Sequence, residues 1–301
     1  MTSPIVVVTG ANGLVGRHVV AALTERGATV RAVVRRVGAA PDDPGVEEHV
    51  GDFADPAFAG TVVAGADALV TTVHPLGGDA EAQRRVGLDG TLVVAEAAVA
   101  AGVPLLVHVS TAAVYDRSPG VGDVSEDSAL VGDDADDYAV IKRDVDAALD
   151  RLEGATRVLV RPPAILGPGE SSVWNSVRPA EIRDSETERH APPDKSFAWV
   201  HVTDLAALVA DVATGAIPVS ADPSSGPVAA GCTPVNVASE PATQRDYLGT
   251  VARALGVDPV WEDGDAWTGQ ILADRARGWG WAPKVSLQDA LAELEEGVRA
   301  L

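Results

Sequence analysis

Two side chains four residues apart, Tyr138 and Lys142 in the segment YAVIK, have the types and the spacing for acid–base chemistry. Residues at this spacing lie on one face of a helix. A free tyrosine has a pKa of about 10 and is a neutral acid at neutral pH; a nearby ammonium lowers that pKa and prepares the hydroxyl for proton transfer. For an isolated pair of this kind, an amphipathic helix without chemistry is the favoured interpretation. Its chemistry therefore depends on what the fold places beside it.

A hydroxyl group is predicted at the edge of a buried sheet. The apolar run Leu105–Val109 is followed by Ser110 and Thr111, within LLVHVSTAAVYD. Open α/β sheets bind ligands at the carboxyl ends of their strands, so a hydroxyl there can hold a substrate carbonyl. The order and spacing predict a catalytic group of Thr111, Tyr138 and Lys142.

A glycine-spaced turn stands near the start of the chain, in IVVVTGANGLVGRHVV. Small residues let the backbone approach a pyrophosphate, whose charge is favoured at a helix N-terminus. A tight turn without a ligand is the alternative interpretation, and the strand before the turn and the helix after it favour the cofactor. The predicted cofactor-binding residues of this turn are Gly10, Asn12, Gly13, Leu14, Val15 and Gly16.

The end of the second predicted strand distinguishes between the two nicotinamide dinucleotides. NAD(H) usually meets an Asp or Glu there, at the ribose hydroxyls. The segment VRAVVRR instead ends in Arg35 and Arg36, and guanidinium groups suit a 2′-phosphate. NADP(H) is therefore favoured over NAD(H), with a solvated strand end as the alternative interpretation.

Short β-branched runs alternate with helical patterns and predict an α/β fold, a Rossmann-type doubly wound parallel sheet. The predicted strands are Ile5–Val8, Thr29–Val34, Val46–Val50, Ala68–Val73, Leu105–Val109 and Arg157–Arg161. A strand at Phe197–Val202 and a helix at Asp204–Thr214 are expected to return to this sheet. Further helices are predicted at Leu14–Arg26, Ala80–Ala101, Tyr138–Leu152, Thr243–Leu255 and Leu287–Ala300.

The amino-acid composition changes after Arg161, and residues 162–195 are rich in proline, glycine and charged residues. We therefore expect a dinucleotide-binding domain of residues 1–165 and 196–235, and a smaller substrate lobe of residues 166–195 and 236–301. Trp174 and Arg178, four apart in the polar segment, either line a substrate pocket or simply pack the lobe. His190 is predicted to be a surface residue.

The composition limits the function. The 301 residues carry a formal charge of −21, which argues against nucleic acid and anionic membranes as partners. The single cysteine, Cys232, and six scattered histidines predict neither a disulfide nor a metal site. The apolar runs are short or interrupted, and the first is interpreted as a strand and not a signal peptide. A cytoplasmic enzyme with a small-molecule substrate is the expectation.

Taken together, the motifs resemble those of the extended short-chain dehydrogenase/reductases, the NAD(P)-dependent epimerases, dehydratases and reductases. TGANGLVG, STAAVY, YAVIK, RPPAILGPG, WVHVTDLA and RGWGWAPKVSLQDAL match the family in order along nearly the whole chain. The resemblance implies that Asp52, with Phe53 beside it, contacts adenine, and that Thr72 and Val73 pass close to the cofactor. It also implies that Pro162 lies near the nicotinamide, and that Tyr138 and Lys142 contact the cofactor as well as acting in catalysis.

Three departures from the family pattern are present. Gly87 replaces an asparagine that the family links to proton relay or helix geometry. Phe197 stands where relatives that act on nucleotide sugars often carry an arginine, and the segment RDVDAALDRLEG after Lys142 is short and acidic. The last two departures argue against a nucleotide-sugar substrate.

The motifs together favour an NADP(H)-dependent oxidoreductase acting by hydride transfer on a carbonyl or alcohol of a small organic substrate. The alternatives are an NAD-dependent nucleotide-sugar epimerase or dehydratase and a non-catalytic dinucleotide-sensing regulator. The resemblance also implies a homodimer, which the Ala-rich segments 92–101 and 139–149 permit.

Overall fold

The computed structural model describes residues 3–73 and 79–300, and its centre is a seven-stranded parallel sheet. The strands of the molecule, in chain order, are β1 (Ile5–Thr9), β2 (Thr29–Val34), β3 (Val46–Val50), β4 (Ala68–Thr71), β5 (Leu105–Val109), β6 (Thr156–Arg161), β7 (Ala164–Leu166), β8 (His190–Ala191), β9 (Trp199–His201), β10 (Cys232–Asn236) and β11 (Val260–Trp261). The central sheet has the order β10-β6-β5-β4-β1-β2-β3. This is the predicted doubly wound, Rossmann-type architecture.

Helices cover both faces of the central sheet. They are α1 (Leu14–Glu25), α2 (Pro56–Val63), α3 (Ala80–Arg84), α4 (Gly90–Ala100), α5 (Asp137–Arg151), α6 (Arg178–Asp184), α7 (Val202–Ala213), α8 (Gln244–Leu255), α9 (Asp274–Gly278) and α10 (Leu287–Arg299). Helices α1 and α7 pack on one face of the sheet and α2, α4 and α5 on the other. Burial on both faces explains why the inner strands are continuous apolar runs.

A third apolar cluster is separate from the two that pack on the central sheet, and it is called the smaller lobe below. It joins residues of β7, β9, α6, α8 and α10, among them Leu166, Trp199, Tyr247 and Leu294. Helix α8 begins with a capping box in which Thr243 and Asp246 exchange hydrogen bonds with each other's backbone, and it ends at Gly256 with a φ of +70°.

The prediction that the strand near Phe197–Val202 returns to the central sheet is wrong. Strand β9 pairs with β7 in a separate two-stranded sheet, and the seventh strand of the central sheet is β10. The segment CTPVN of β10 was not predicted because it contains a proline and polar residues. Pro234 is tolerated because β10 is an edge strand, which leaves one side of its backbone without a partner.

The helix predicted as one element over Ala80–Ala101 is interrupted. A π-helical segment, Arg85–Asp89, separates α3 from α4. Gly87 lies within this segment, and Gly90 begins α4 against the Phe53 ring, where an added Cβ would be 2.9 Å from Cε2. Short π segments inside helices are frequent at functional sites. The other boundaries differ by a few residues, as β4 does by ending at Thr71.

Within the described residues, no helix combines the length and the apolar character needed to cross a membrane.

Candidate active site

The glycine turn between β1 and α1 is closely packed. Gly10 has a φ of +73°, and its carbonyl accepts a hydrogen bond from the Gly13 backbone N–H at 2.9 Å. A Cβ on Gly16 would lie 2.0 Å from the Gly10 carbonyl oxygen, so only glycine lets α1 approach the turn this closely. A Cβ on Gly13 would meet only that same oxygen, at 3.4 Å. These contacts fit a turn that leaves its open side to a pyrophosphate at the start of α1.

The end of β4 lies against the same turn. The Thr72 hydroxyl donates to the Thr9 carbonyl at 2.9 Å. A Cβ on Gly10 would be 2.9 Å from the Thr72 Oγ1 and 3.0 Å from the Val73 Cγ2. The structure therefore brings the predicted cofactor residues Thr72 and Val73 next to Gly10.

Arg35 and Arg36 follow β2 and line a surface cavity of about 440 Å³ together with Asn12 of the glycine turn. Both arginines are exposed. The loop after them is held by the Glu48 carboxylate of β3, which accepts hydrogen bonds from the Gly38 and Ala40 backbone N–H groups at 3.0 Å each. These bonds, that of Gly38 first, lower the pKa of Glu48, so Glu48 is a carboxylate at neutral pH.

Asp52 and Phe53 follow β3 in the same region. The exposed Asp52 carboxylate accepts from the Ala54 backbone N–H at 2.9 Å. The Phe53 side chain is buried in the core against α4. A contact of Phe53 with a cofactor would therefore come from its backbone.

The predicted catalytic residues meet at the carboxyl end of β5. Thr111 has extended backbone (φ −160°), and its hydroxyl accepts from the Ala113 backbone N–H at 3.1 Å. The Ala112 backbone N–H donates to the Pro162 carbonyl at 2.8 Å, which brings Pro162 beside Thr111. The Thr111 and Tyr138 side chains share a hydrogen bond that lowers the Tyr138 pKa. The structure therefore joins Thr111, Tyr138 and Pro162 in one place.

Helix α5 carries Tyr138 in its first turn and Lys142 one turn later. The Asp136 carboxylate caps the helix by accepting from the Ala139 backbone N–H at 3.0 Å. The Lys142 ammonium is buried and donates to the Val109 carbonyl at 3.3 Å, so it lies beneath the end of β5.

The pKa of Tyr138 differs from the expectation that an ammonium lowers it. Burial raises the pKa of Tyr138, and the hydrogen bond with Thr111 is the largest effect opposing that rise, with Arg117 also lowering it. Burial also lowers the pKa of Lys142 from 10.5 to about 8, against the opposite effect of Asp146. Burial is the largest effect on the pKa of both residues, and Lys142 is mostly protonated at pH 7.

A buried polar network stands behind Lys142. The Arg161 Nε donates to the Asp146 carboxylate at 2.9 Å, and the same guanidinium donates to the Tyr115 hydroxyl at 2.8 Å. The Tyr115 hydroxyl in turn donates to the Asn236 side-chain oxygen at 2.8 Å. Sequence reasoning did not identify Asp146, although its position four residues after Lys142 on the same helix face was a usable signal.

His108 of β5 is a buried histidine whose imidazole ring is uncharged. Its Nδ1 and the Thr71 Oγ1 are 2.7 Å apart. Burial first, and Lys142 second, hold the pKa of His108 well below its ordinary value. The imidazole is therefore uncharged beside the Lys142 ammonium.

The two residues predicted either to line a substrate pocket or to pack the smaller lobe, Trp174 and Arg178, make contacts within that lobe. Trp174 packs edge-on against the Phe197 and Tyr247 rings, with centroids 5.2 and 5.4 Å away, so it belongs to the lobe core. Arg178 pairs with Glu181 at 3.1 Å and with Glu188. These contacts match the lobe-packing interpretation of both residues.

His190 is exposed, and its Nδ1 lies 2.7 Å from the Glu262 carboxylate. The segment after β7 reaches the cofactor side through Gly169, where a Cβ would be 3.2 Å from the Leu14 Cδ1 at the start of α1.

Comparisons with known proteins agree with this geometry. The model of the "NAD dependent epimerase/dehydratase family" matches residues 6–216. The chain is 32% identical over 211 residues to the ceramide reductase of Caulobacter vibrioides, covering 67% of this chain and 59% of that protein. It is 31% identical over 176 residues to the 2-alkyl-3-oxoalkanoate reductase of Stenotrophomonas maltophilia, covering 56% of this chain and 53% of that protein. The chain thus spans little more than half the length of these relatives.

Among solved structures, the Bordetella bronchiseptica enzyme WbmH in complex with NAD+ superposes with a TM-score of 0.78 at 22% identity. The superposition covers 99% of this chain and 99% of that chain. At this identity the likeness shows the fold.

Proposed function

The chain belongs to the NAD dependent epimerase/dehydratase family, and on that premise we propose that it is an NADP(H)-dependent oxidoreductase of a carbonyl or alcohol group on a small organic molecule. The observation that carries the proposal is the joining of Thr111 and Tyr138 by a hydrogen bond at the carboxyl end of β5, with Lys142 one helical turn away. This group lies on the side of the sheet where the glycine turn opens.

Each residue has a chemical role in reduction. When bound, the nicotinamide cofactor supplies the hydride. Tyr138 gives its hydroxyl proton to the oxygen of the substrate, and Thr111 donates a hydrogen bond to the same oxygen. Lys142 keeps a positive charge beneath the end of β5, where it favours the anionic form of Tyr138 left after the transfer.

Arg35 and Arg36 support NADP(H) as the cofactor. They line one cavity with Asn12 of the glycine turn, and no carboxylate of the described residues pairs with either guanidinium. A 2′-phosphate placed in this cavity would receive charge-assisted hydrogen bonds from both side chains.

The burial of Phe197 favours a reductase over an enzyme of nucleotide sugars. The ring stacks on Tyr247 with centroids 4.3 Å apart and is 3% exposed, so this position offers no cation to a diphosphate. The two relatives named above are called reductases, of ceramide and of a 2-alkyl-3-oxoalkanoate. Both names agree with a carbonyl substrate.

The test has two arms, cofactor choice and turnover. NADPH and NADH are titrated into the wild type, an Arg35→Ala/Arg36→Ala double variant and a control, Arg253→Ala, whose side chain is exposed on α8. We expect a preference for NADPH that falls about 10- to 100-fold in the double variant only. NADPH oxidation is then followed over a panel of ketones and aldehydes, where Tyr138→Phe is expected to be at least about 100-fold slower.

Three results would contradict the proposal. Turnover of Tyr138→Phe at the wild-type rate removes the assigned proton donor. NAD(H) retained through purification, without an NADPH preference, favours the nucleotide-sugar epimerase or dehydratase. Cofactor binding without turnover on ketones, alcohols or sugars favours a dinucleotide-sensing regulator.

A further inference from the structure

Three segments of the candidate active site each send one side chain into a single buried cluster. Tyr115 lies four residues after Thr111, Asp146 lies four residues after Lys142, and Arg161 directly precedes Pro162. We call these three side chains, Tyr115, Asp146 and Arg161, the anchor cluster; they are 1%, 2% and 5% exposed. The cluster therefore joins the segments that carry the candidate catalytic residues, although the proposed mechanism does not use it.

The Arg161 guanidinium binds both other members of the anchor cluster. Its Nε donates to the Asp146 carboxylate at 2.9 Å, and a terminal nitrogen donates to the Tyr115 hydroxyl at 2.8 Å. Its central carbon is 5.1 Å from the centre of the Tyr115 ring. Because a guanidinium holds its donors in a rigid plane, the two acceptors are fixed relative to each other. Arg161 thus connects α5 to the segment that follows Thr111.

The Tyr115 hydroxyl is also held from the opposite side. It donates to the Asn236 side-chain oxygen at 2.8 Å. Asn236 is fully buried, its side-chain amide donates to the Leu272 carbonyl at 3.1 Å, and its backbone N–H donates to the Glu126 carboxylate at 2.9 Å. With one donor and one acceptor, both the position and the orientation of the hydroxyl are defined.

The placement of α5 on the sheet depends on more than apolar packing. Its residues Ile141, Val145 and Leu149 belong to the core on this face of the sheet, but hydrophobic contact has no preferred direction. The bond between Asp146 and Arg161 is directional, and separating the two would leave uncompensated buried charges at a large free-energy penalty. The anchor cluster therefore resists sliding and rotation of the helix that carries the proposed proton donor.

Backbone bonds connect the other two segments. The Ser110 N–H donates to the Val160 carbonyl at 2.8 Å, and the Ala112 N–H donates to the Pro162 carbonyl at 2.8 Å. The segment around Thr111 and the end of β6 are thus one unit. The anchor cluster attaches α5 to that unit.

We propose that Arg161 is a positioning residue of the candidate active site, which sets the placement of Tyr138 relative to Thr111 by binding Asp146 and Tyr115 together. This inference rests on the proposed reductase function and adds to it a residue that acts through Tyr138 and not on the substrate. Proton transfer depends steeply on the placement of the donor, and a displacement of about 1 Å can slow a reaction about 100-fold.

The first test variant, Tyr115→Phe, removes only the hydroxyl that binds Arg161 and leaves the ring in place. Its matched control is Tyr247→Phe. Tyr247 is equally buried, at 1% exposed, and its hydroxyl donates to a backbone carbonyl of the smaller lobe at 2.7 Å. Both variants lose one buried hydrogen bond, so their stabilities should fall by similar amounts.

The second test variant, Arg161→Lys, keeps the charge and loses the planar pair of donors. Its matched control is Arg157→Lys, at the opposite end of β6. Arg157 is also 5% exposed, and its guanidinium donates to backbone carbonyl groups, two of them at 2.6 and 3.1 Å. For all four variants, kcat and KM on a carbonyl substrate, the Kd of NADPH and the Tm are measured.

We expect kcat to fall about 10-fold in Tyr115→Phe and about 100-fold in Arg161→Lys, with the Kd of NADPH unchanged, because the loss concerns the reacting geometry. The two controls keep kcat. In a Tyr138→Phe background, Tyr115→Phe has no further effect, because its effect passes through the Tyr138 hydroxyl. A purely structural role would lower kcat by the same factor in both backgrounds.

A second measurement needs no turnover. The chain has three tyrosines, which are replaced by 3-fluorotyrosine, and each fluorine NMR signal is assigned by its loss in the corresponding Tyr→Phe variant. We expect the Tyr138 signal to be displaced by more than its line width in Tyr115→Phe and in Arg161→Lys. In the Tyr247→Phe and Arg157→Lys controls it should stay in place.

The inference is overturned if the test variants keep the wild-type kcat, if the controls lose as much, or if the effect of Tyr115→Phe persists in the Tyr138→Phe background. In these cases the reductase proposal stands. If the wild type reduces no compound, the reductase proposal fails, and the Tyr138 fluorine signal decides the inference. A displacement confined to the test variants supports it, and an unmoved signal, or one that moves equally in the controls, overturns it. If Arg161→Lys does not fold, Tyr115→Phe decides alone.

Discussion

Replacing Lys142 by methionine should stabilise the protein at neutral pH while it removes activity. The ammonium is buried, and burial lowers its pKa from 10.5 to about 8. That lowering is equivalent to about 3 kcal/mol of free energy disfavouring the charged form in the folded state. Methionine keeps the apolar stem of the side chain and leaves Asp146 and Arg161 as a neutral buried pair. We expect a gain of about 1 to 3 kcal/mol in the free energy of unfolding at pH 7, since repacking offsets part of the relief.

The sign of the pH dependence follows from the same lowered pKa. Between pH 8 and pH 10.5 the unfolded chain keeps a proton on Lys142 that the folded wild type has lost. The stability of the wild type therefore rises with pH in this window. The advantage of Lys142→Met is complete below pH 8 and disappears by about pH 10.5.

Chemical denaturation at pH 7 and pH 10 measures both effects, with Lys284→Met as the matched control because Lys284 is exposed. The control is expected to stay within about 0.5 kcal/mol of the wild type. NADPH oxidation is measured on the same samples, and only Lys142→Met is expected to lose turnover. A Lys142→Met protein that is less stable at pH 7, or whose advantage is the same at pH 10, would refute the assignment of a strained buried ammonium.

Two further predictions concern the network and the glycine turn. Asp146→Asn leaves the buried Arg161 and Lys142 without a counter-charge, and it should lower the free energy of unfolding in urea by about 3 to 5 kcal/mol. The control is Asp144→Asn, because Asp144 forms a surface ion pair with Arg84. This variant should lower the free energy of unfolding by less than about 1 kcal/mol. Equal losses of unfolding free energy in the two variants would show that the buried Asp146–Arg161 pair stabilises the fold no more than a surface ion pair does. Gly16→Ala places a Cβ 2.0 Å from the Gly10 carbonyl oxygen; it should lower stability by about 1 to 3 kcal/mol and weaken NADPH binding at least about 10-fold. Its control, Gly249→Ala in α8, has open space around the new Cβ and should keep NADPH affinity, so loss of binding in both variants would contradict the packing argument.

The parts of the candidate site that depend on local sequence were predictable. The glycine turn follows from the spacing of Gly10, Gly13 and Gly16 between a strand and a helix, and a helix period alone places Tyr138 and Lys142 on one face. The continuous apolar strands also predicted a parallel sheet buried on both faces, which the structure confirms.

The position of the last sheet strand was not predictable from local pattern. Strand β10 is short and contains Pro234, so neither its composition nor its alternation indicates a strand. It exists because β6 offers an unpaired edge, with which it pairs over Cys232–Asn236. A strand of this kind is determined by its neighbour and not by its own residues.

The electrostatics of the site were likewise decided by tertiary structure. From the sequence, Lys142 was expected to lower the pKa of Tyr138, but burial dominates at both residues and works in opposite directions on a neutral acid and a cation. Desolvation depends on everything packed around a group, which a short motif does not contain.

The sequence by itself determined the candidate catalytic residues and the glycine turn proposed for the cofactor, because those predictions rest on residue types at short spacings. Only the tertiary structure decided which distant groups share a site. It tied Tyr115 and Asp146 to Arg161, and it enclosed Phe197 between aromatic rings of the smaller lobe. Such contacts join segments far apart along the chain, and the free energy of a charge or a ring depends on the neighbours that packing gives it.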